Sequence, residues 1–170
     1  MDSTQMDVLQ QFFKVMADEK RLRIVDLVGK RAYRVGELAE VLGGLRKATA
    51  GSIILGDDEI SGLSPRALAE RGLGFIPDKP RDMAILPSFS LVENSALKVH
   101  DSEPFRKGPF LNEAVIEARA EALIESFDVR TPNAQVAAEN LSGGNLHKMV
   151  VACELGRDPD LIIASNPSAG

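Results

Sequence analysis

A short segment near the end of the chain constrains the fold most strongly. Ser142 and two glycines precede an apolar helical pattern that continues to about Gly156. After a turn at residues 158–160, the run 161–164 (LIIA) is apolar throughout, as in strands that are buried in a parallel sheet. A helix that leads through a tight turn into such a strand predicts an α/β fold.

The residues before this segment also combine strands and helices. A hairpin is plausible over residues 52–60, because two short apolar segments flank a Gly-Asp-Asp turn. Ser64 and the proline after it favour a helix start, and Gly72 ends the predicted helix. A short strand is predicted over residues 73–77, followed by a turn at 78–82.

Two further helices are indicated by capping residues. Ser90 and Glu93 have the spacing of a capping box, which predicts a helix that runs through Leu97. A loop containing Pro104, Gly108 and Pro109 follows, and Asn112 is the predicted cap of a long helix. The apolar residues on one face of that helix are Ile116, Ala120, Leu123, Ile124 and Phe127.

The first part of the chain is predicted to be helical, with helices over residues 5–17, 18–29 and 36–42. The net charge of the protein is −5, but residues 1–50 carry +2 and residues 51–170 carry −7. This asymmetry is compatible with a front part that faces nucleic acid. A solvated surface of mixed charge explains it equally well.

Several classes of protein are disfavoured by the composition. The sequence has no run of about 18 apolar residues, as a membrane span requires, and no pattern typical of a secretion signal. The one cysteine, Cys153, excludes an internal disulfide, fits a reducing cytoplasmic setting and is predicted to be a core residue. No metal site is predicted, and no function is assigned to His100 or His147.

Chemistry is most strongly indicated at the predicted start of the last helix. The free backbone N–H groups and the positive dipole end of a helix favour an anion there. Gly143 and Gly144 allow close approach to the backbone, and the Ser142 hydroxyl adds a donor. Taken alone, the same three residues are more often an ordinary cap and turn.

The order of motifs over residues 36–170 resembles the signature-bearing part of ABC transporter ATPases. LSGGN at 141–145, its helix, a DPD turn and an apolar strand are similar to the signature motif, signature helix and Walker B strand of that family. The upstream stretches GLRKATAGSIILGDDEISGLSPRALAERGLGFIPD and SLVENSAL resemble the second cassette of fused sugar or nucleoside importers.

This resemblance implies a partial cassette, made of the helical subdomain and part of the parallel sheet. It implies a nucleotide site shared between two cassettes, in which Ser142, Gly143, Gly144 and Asn145 contact ATP whose Mg²⁺ is held by the partner. It also implies membrane permease subunits as partners, and therefore a cytoplasmic protein at the inner face of the membrane.

Several catalytic parts of the family are predicted to be missing. The only Gly-Lys pair, at 29–30, has Ile24 where a phosphate loop needs its first glycine. By resemblance, Ser165 and Asn166 stand at the positions of the Walker B acid pair, and Asp78 stands at that of the Q-loop glutamine. The sequence also ends where the D-loop would begin. These departures predict a truncated cassette with no catalytic residues, unable to hydrolyse ATP alone.

A second resemblance concerns residues 9–43, which are similar to the start of ArsR-type winged helix-turn-helix repressors. In such a domain the next helix would enter the major groove of DNA, and it could supply Arg46, Lys47 and Thr49. The paired isoleucines that follow favour entry into a strand instead.

The two resemblances divide the chain into a helical segment, 1–43, and a truncated cassette, 44–170. Three interpretations follow. The chain is an importer cassette fragment that completes a partner's ATP site, a DNA-binding regulator whose rear part dimerises or senses, or a chimeric product without activity.

Overall fold

A computed structural model describes residues 40–47, 52–55 and 58–165. Residues 40–42 are helical. The elements after them, in chain order, are β1 (Ile54–Leu55), β2 (Asp58–Glu59), α1 (Pro65–Glu70), β3 (Leu73–Ile76), α2 (Pro80–Met83), α3 (Leu91–Ala96), β4 (Arg106–Lys107), β5 (Phe110–Leu111), α4 (Glu113–Ser126), a 3₁₀ turn (Ala138–Asn140), α5 (Gly143–Leu155) and β6 (Leu161–Ala164).

A parallel pair of strands, β3 and β6, separates two hydrophobic cores. Leu73 lies opposite Leu161, and Ile76 lies opposite Ala164. Because side chains alternate along a strand, successive residues contact different cores. Leu73 and Leu161 pack in the smaller core, with Val41, Ile53, Ile60 and Leu68. Ile76 and Ala164 pack in the larger core, which is formed mainly by α3, α4 and α5.

The prediction of a parallel strand over 161–164 is therefore confirmed, and the strand is only partly buried. Only Leu161 is fully buried, and the other residues of β6 are half-buried. The physical reason is that the parallel sheet contains only two strands within the described ranges, so β6 is covered on fewer sides than a central strand.

The predicted helix starts are confirmed where a serine supplies the cap. The Ser64 Oγ accepts a hydrogen bond from the Ala67 N–H at 3.2 Å, and Ser90 and Glu93 form a complete capping box. Gly72, with φ of +76°, adopts the left-handed conformation that allows the chain to leave α1 and enter β3.

Three local predictions between residues 78 and 112 need correction. The predicted turn after β3 contains the short helix α2, and the predicted loop after α3 contains the hairpin of β4 and β5. Asn112 does precede α4, but its side chain does not cap the helix. Its Nδ2 instead donates to the Pro104 carbonyl at 3.2 Å, so the side chain ties α4 to the preceding hairpin segment.

The predicted apolar face of α4 is confirmed. Ile116, Ala120, Leu123 and Phe127 are buried, and Ile124 is half-buried against the larger core. This face packs on α3 and α5, and the three helices together cover one side of the parallel strands.

Part of the front of the chain can be compared with its prediction. The hairpin is confirmed, with Ile54 opposite Glu59, although its turn at 56–57 lies outside the described residues. The predicted helices over 5–17 and 18–29 lie outside them too, as does most of the helix over 36–42.

None of the helices within the described ranges is long and apolar enough to cross a membrane. The same part of the chain contains no cluster of histidine, cysteine or acidic side chains suited to a metal ion.

A buried carboxylate links α5 to the parallel strands. Glu154, with a relative exposure of 2%, accepts a hydrogen bond from the Phe75 N–H of β3 at 3.2 Å. The same carboxylate pairs with Lys98, which follows α3, and with Arg157 at 3.4 Å. Arg157 also donates to the Ala69 carbonyl in α1 at 2.7 Å. Through Arg157, the Glu154 carboxylate therefore connects α5, on one side of the sheet, with α1 on the other side.

We predict that Glu154→Gln lowers the free energy of unfolding by about 1–3 kcal/mol, because the amide keeps the shape but loses the charge that faces Lys98 and Arg157. Urea denaturation measures the change. Glu121→Gln, on the exposed face of α4, is the matched control and should change the free energy by less than about 0.5 kcal/mol. Equal effects of the two substitutions would contradict a structural role for the Glu154 carboxylate.

Candidate functional site

The LSGGN segment forms the exposed N-terminus of α5. Ser142 is the N-cap residue in an extended conformation, and its Oγ accepts a hydrogen bond from the Asn145 N–H at 3.4 Å. Ser142 and Gly143 are exposed, while Leu146, residues 149–152 and Leu155 are buried in the larger core. The apolar face of α5 fixes the helix, and its polar start faces solvent.

Asn145 holds this terminus in place from two sides. Its Nδ2 donates to the Ser142 Oγ at 2.9 Å, and its Oδ1 accepts from the Arg130 N–H at 2.9 Å. The second bond connects α5 to the segment that follows α4. The Asn145 side chain therefore orients the Ser142 hydroxyl and connects it to the backbone of Arg130.

Space for a ligand exists directly over Gly143. A Cβ added to this residue would meet no atom within 4 Å. The first N–H groups of an α-helix have no partner within the helix, and only that of Asn145 is taken by the Ser142 side chain. The N–H groups of Gly143 and Gly144 lie at this end of the helix, and their binding of an anion stays a prediction.

A buried lysine stabilises the same helix from behind. Lys148 is 5% exposed, and its Nζ donates to the Asp128 carbonyl at 2.9 Å and to the Asp128 carboxylate at 3.0 Å. Asp128 has a φ of +48° and is exposed. The hydrogen bond from Lys148 lowers the pKa of the Asp128 carboxyl, with a smaller contribution from the charge of Arg130.

The residues matched to the Walker B and Q-loop positions follow the two parallel strands. Asp78 is exposed two residues after β3, and Ser165 is buried directly after β6, where its N–H donates to the Ile76 carbonyl at 2.8 Å. The two therefore lie at the same edge of the sheet. Within the part of the chain that the structure describes, no hydrogen bond joins Asp78 or Ser165 to Ser142 or Asn145. Asn166 lies outside the described residues.

A cleft beside the Glu154 network was not predicted from the sequence. It has a volume of about 280 Å³ and is lined by Lys98 and Glu154, with exposed apolar residues at its rim. Those rim residues are Met83, Leu86 and Leu97. One feature of the sequence could have indicated it: Glu154 lies inside an apolar helical run, and a buried glutamate is unusual unless its charge is paired.

Cys153 lies in the wall of this cleft and packs against the larger core. Burial raises the pKa of its thiol to about 12. The thiol is therefore protonated at neutral pH and is not an activated nucleophile. The two histidines differ in placement: His147 is buried in α5, and His100 is exposed after α3, with its Nδ1 3.0 Å from the Leu97 carbonyl oxygen.

Two of the three residues suggested for DNA contact, Arg46 and Lys47, do not lie on a helix. Residues 43–46 form a turn and a bend, and residue 47 has no regular secondary structure, so the structure gives no support to a recognition helix at Arg46 and Lys47. Arg46 pairs with Glu40 at 3.1 Å, Lys47 is exposed, and Thr49 lies outside the described residues.

Comparison with known proteins gives a consistent result. The profile of the ABC transporter family matches residues 35–169. The chain is 35% identical to the glucose import ATP-binding protein TsgD13 of Haloferax volcanii, over 89% of this chain and 28% of that protein. It is 37% identical to the nucleoside import ATP-binding protein NupA of Lactococcus lactis, over 90% of this chain and 30% of that protein.

The guanosine import ATP-binding protein NupO of Bacillus subtilis is 35% identical over 86% of this chain and 29% of its own length. The chain thus spans less than a third of each of these relatives. The three alignments cover 153, 147 and 154 of the 170 residues, so each of them extends into residues 1–43. The resemblance of that segment to an ArsR-type regulator is not supported, and the predicted domain boundary stays a prediction.

Solved structures show the same fold. The dimeric ATP-binding cassette MJ0796 bound to ADP and Pi has a TM-score of 0.62 at 20% identity, over 77% of this chain and 55% of that chain. A nucleotide-free ATP-binding cassette of an ABC transporter has a TM-score of 0.56 at 22% identity. The α/β partial-cassette fold predicted from the sequence is therefore confirmed.

We predict that Asp128→Asn flattens the dependence of stability on acid pH. Because the folded-state pKa of Asp128 is lowered, its stabilising contribution is present above the unfolded pKa of about 3.9 and is lost as pH falls through the folded pKa. Asparagine tolerates the left-handed backbone, so the substitution tests the charge. Urea midpoints measured from neutral pH to pH 3 should fall less steeply for Asp128→Asn than for the unsubstituted chain. Glu121→Gln is the control, and an unchanged slope in Asp128→Asn would contradict the prediction.

Proposed function

The chain belongs to the ABC transporter family, and from this we propose that it is an ATP-binding part of an importer for nucleosides or sugars. The relatives that it matches are named as nucleoside, guanosine and glucose import ATP-binding proteins. The chain spans less than a third of the length of these relatives, so a role in import is a proposal for this chain.

The observation that carries the proposal is the open N-terminus of α5. Ser142 and Gly143 are exposed there, a Cβ added to Gly143 would meet no atom within 4 Å, and Asn145 forms hydrogen bonds with Ser142 and with the backbone of Arg130. We propose that they bind the terminal phosphate of ATP held by another cassette. The hydroxyl and the N–H groups would donate to phosphate oxygens, and the helix dipole would add a favourable field.

Hydrolysis by the chain alone is not part of the proposal. Ser165 stands at the position matched to the metal-holding aspartate of the family, and a hydroxyl lacks the charge to hold Mg²⁺ as a carboxylate does. The neighbouring position, Asn166, cannot act as a general base. The partner cassette would therefore supply the Mg²⁺ ligands and the cation that binds the phosphates.

A permease subunit is the second partner that we propose. The cleft rimmed by Met83, Leu86 and Leu97 exposes neighbouring apolar side chains beside Lys98, as protein-binding surfaces commonly do. A contact there would keep the chain at the inner face of the membrane. A DNA-binding role is not proposed, because Arg46 and Lys47 lie on no recognition helix.

We predict that the isolated chain has no micromolar affinity for ATP, and that it raises the ATP affinity of an intact cassette from a relative by about tenfold or more. Gly143→Asp should abolish that increase, because a carboxylate would stand where the phosphate binds. The substitution is compatible with the fold, since an added Cβ meets no atom and an acid at a helix N-terminus is favourable. Titration with a fluorescent ATP analogue measures both affinities.

Ala122→Asp, which adds the same charge to the exposed face of α4, is the matched control and should leave the increase unchanged. Micromolar ATP binding by the chain alone would contradict the half-site proposal. An increase that survives in Gly143→Asp would contradict the role given to the start of α5.

A further inference from the structure

A groove on the helical side of the protein is not used by the proposed nucleotide site. It has a volume of about 560 Å³ and lies between α3 and α4, with β5 and residues 135–137 at its ends. Its apolar lining residues are Val92, Ala96, Leu111, Ile116 and Ala137. Ala96 and Ile116 form a buried floor, whereas Leu111 is 52% exposed at the rim.

The charges around this groove have one sign. Glu93, Glu113 and Glu117 are exposed and line it, and no lysine, arginine or histidine is among its lining residues. Hydrogen bonds from Ser90 lower the pKa of the Glu93 carboxyl, which is therefore ionised at neutral pH. Glu117 accepts a hydrogen bond from the Gln135 amide at 2.9 Å, which fixes the carboxylate beside the opening.

An exposed aromatic residue extends the apolar surface beyond the groove. Phe110 precedes Leu111 on β5 and is 75% exposed, the highest value among the large apolar residues that the structure describes. Basic residues of this hairpin lie on the other strand: Arg106 is opposite Leu111, and Lys107 is opposite Phe110. Neither basic residue is among those that line the groove.

We propose that this groove binds a basic amphipathic helix of a partner protein. An apolar floor accepts the apolar stripe of such a helix, and carboxylates on the rim pair with lysine or arginine side chains on either side of that stripe. A purely apolar segment would remove water from the carboxylates without offering them a positive charge, which costs free energy. An acidic segment would be repelled by them. Charge complementarity thus selects the occupant.

The carboxylates on α4 allow a matched test within one helix. Glu113 and Glu117 line the groove, whereas Glu121 and Glu125 continue along α4, are exposed and lie outside it. The probe is a labelled peptide of about 14 residues with leucines at i, i+3, i+4 and i+7 spacing and lysines elsewhere. Its binding to the complete chain is measured by fluorescence anisotropy at near-physiological salt.

We expect the double substitution Glu113→Gln and Glu117→Gln to weaken binding of the probe by about five- to tenfold. The double substitution Glu121→Gln and Glu125→Gln removes the same charge and should change it by less than about twofold. Leu111→Gln, at an exposed rim position, should also weaken binding without unfolding the chain.

Equal weakening by the two double substitutions would overturn the proposal, because it would show general attraction to a negatively charged protein. Comparable binding of a peptide with glutamate in place of lysine would also overturn it. The measurement uses no nucleotide, so its outcome is independent of the proposed ATP site.

Discussion

The fold depends on one buried carboxylate. Glu154 accepts the Phe75 N–H on the edge of β3 that faces away from β6, so a side chain satisfies a donor that another strand would otherwise take. Its charge is balanced by Lys98 and Arg157, and Arg157 reaches α1 on the other side of the sheet. A buried charge without these partners would cost several kcal/mol, so the contacts must form together.

This arrangement makes α5 the element that connects the sheet with the proposed site. Glu154 fixes the C-terminal end of the helix, and Ser142 lies about 18 Å away at the other end, given a rise of 1.5 Å per residue. Midway along the helix Lys148 binds Asp128, and near its start Asn145 binds the backbone of Arg130. Polar contacts at both ends and apolar packing between them hold the LSGGN segment in one orientation relative to the sheet.

Features set by local sequence could be predicted, and those set by distant contacts could not. The caps at Ser64, Ser90 and Ser142 were predictable because a serine bonds an N–H three residues later. The partners of Glu154 were not, because Phe75 and Lys98 are distant in sequence and no local pattern links them. The side chain of Asn112 does not cap α4, because its amide donates to the Pro104 carbonyl, a contact that no local pattern indicates. At the site, LSGGN was recognised from its motif, but the brace from Asn145 to Arg130 required the fold.

The charges near Ser142 explain why a partner should be needed to hold nucleotide. The lysine of this helix, Lys148, is buried and engaged with Asp128, so it cannot reach a phosphate over Gly143. Arg130 lies near the same aspartate and helps to lower its pKa. What remains at the start of α5 is a hydroxyl, neutral N–H groups and the helix dipole, and such donors contribute modestly to anion binding when water competes. In the proposed shared site, a second cassette would exclude water and bring its own cation to the phosphates, and these donors would then become effective.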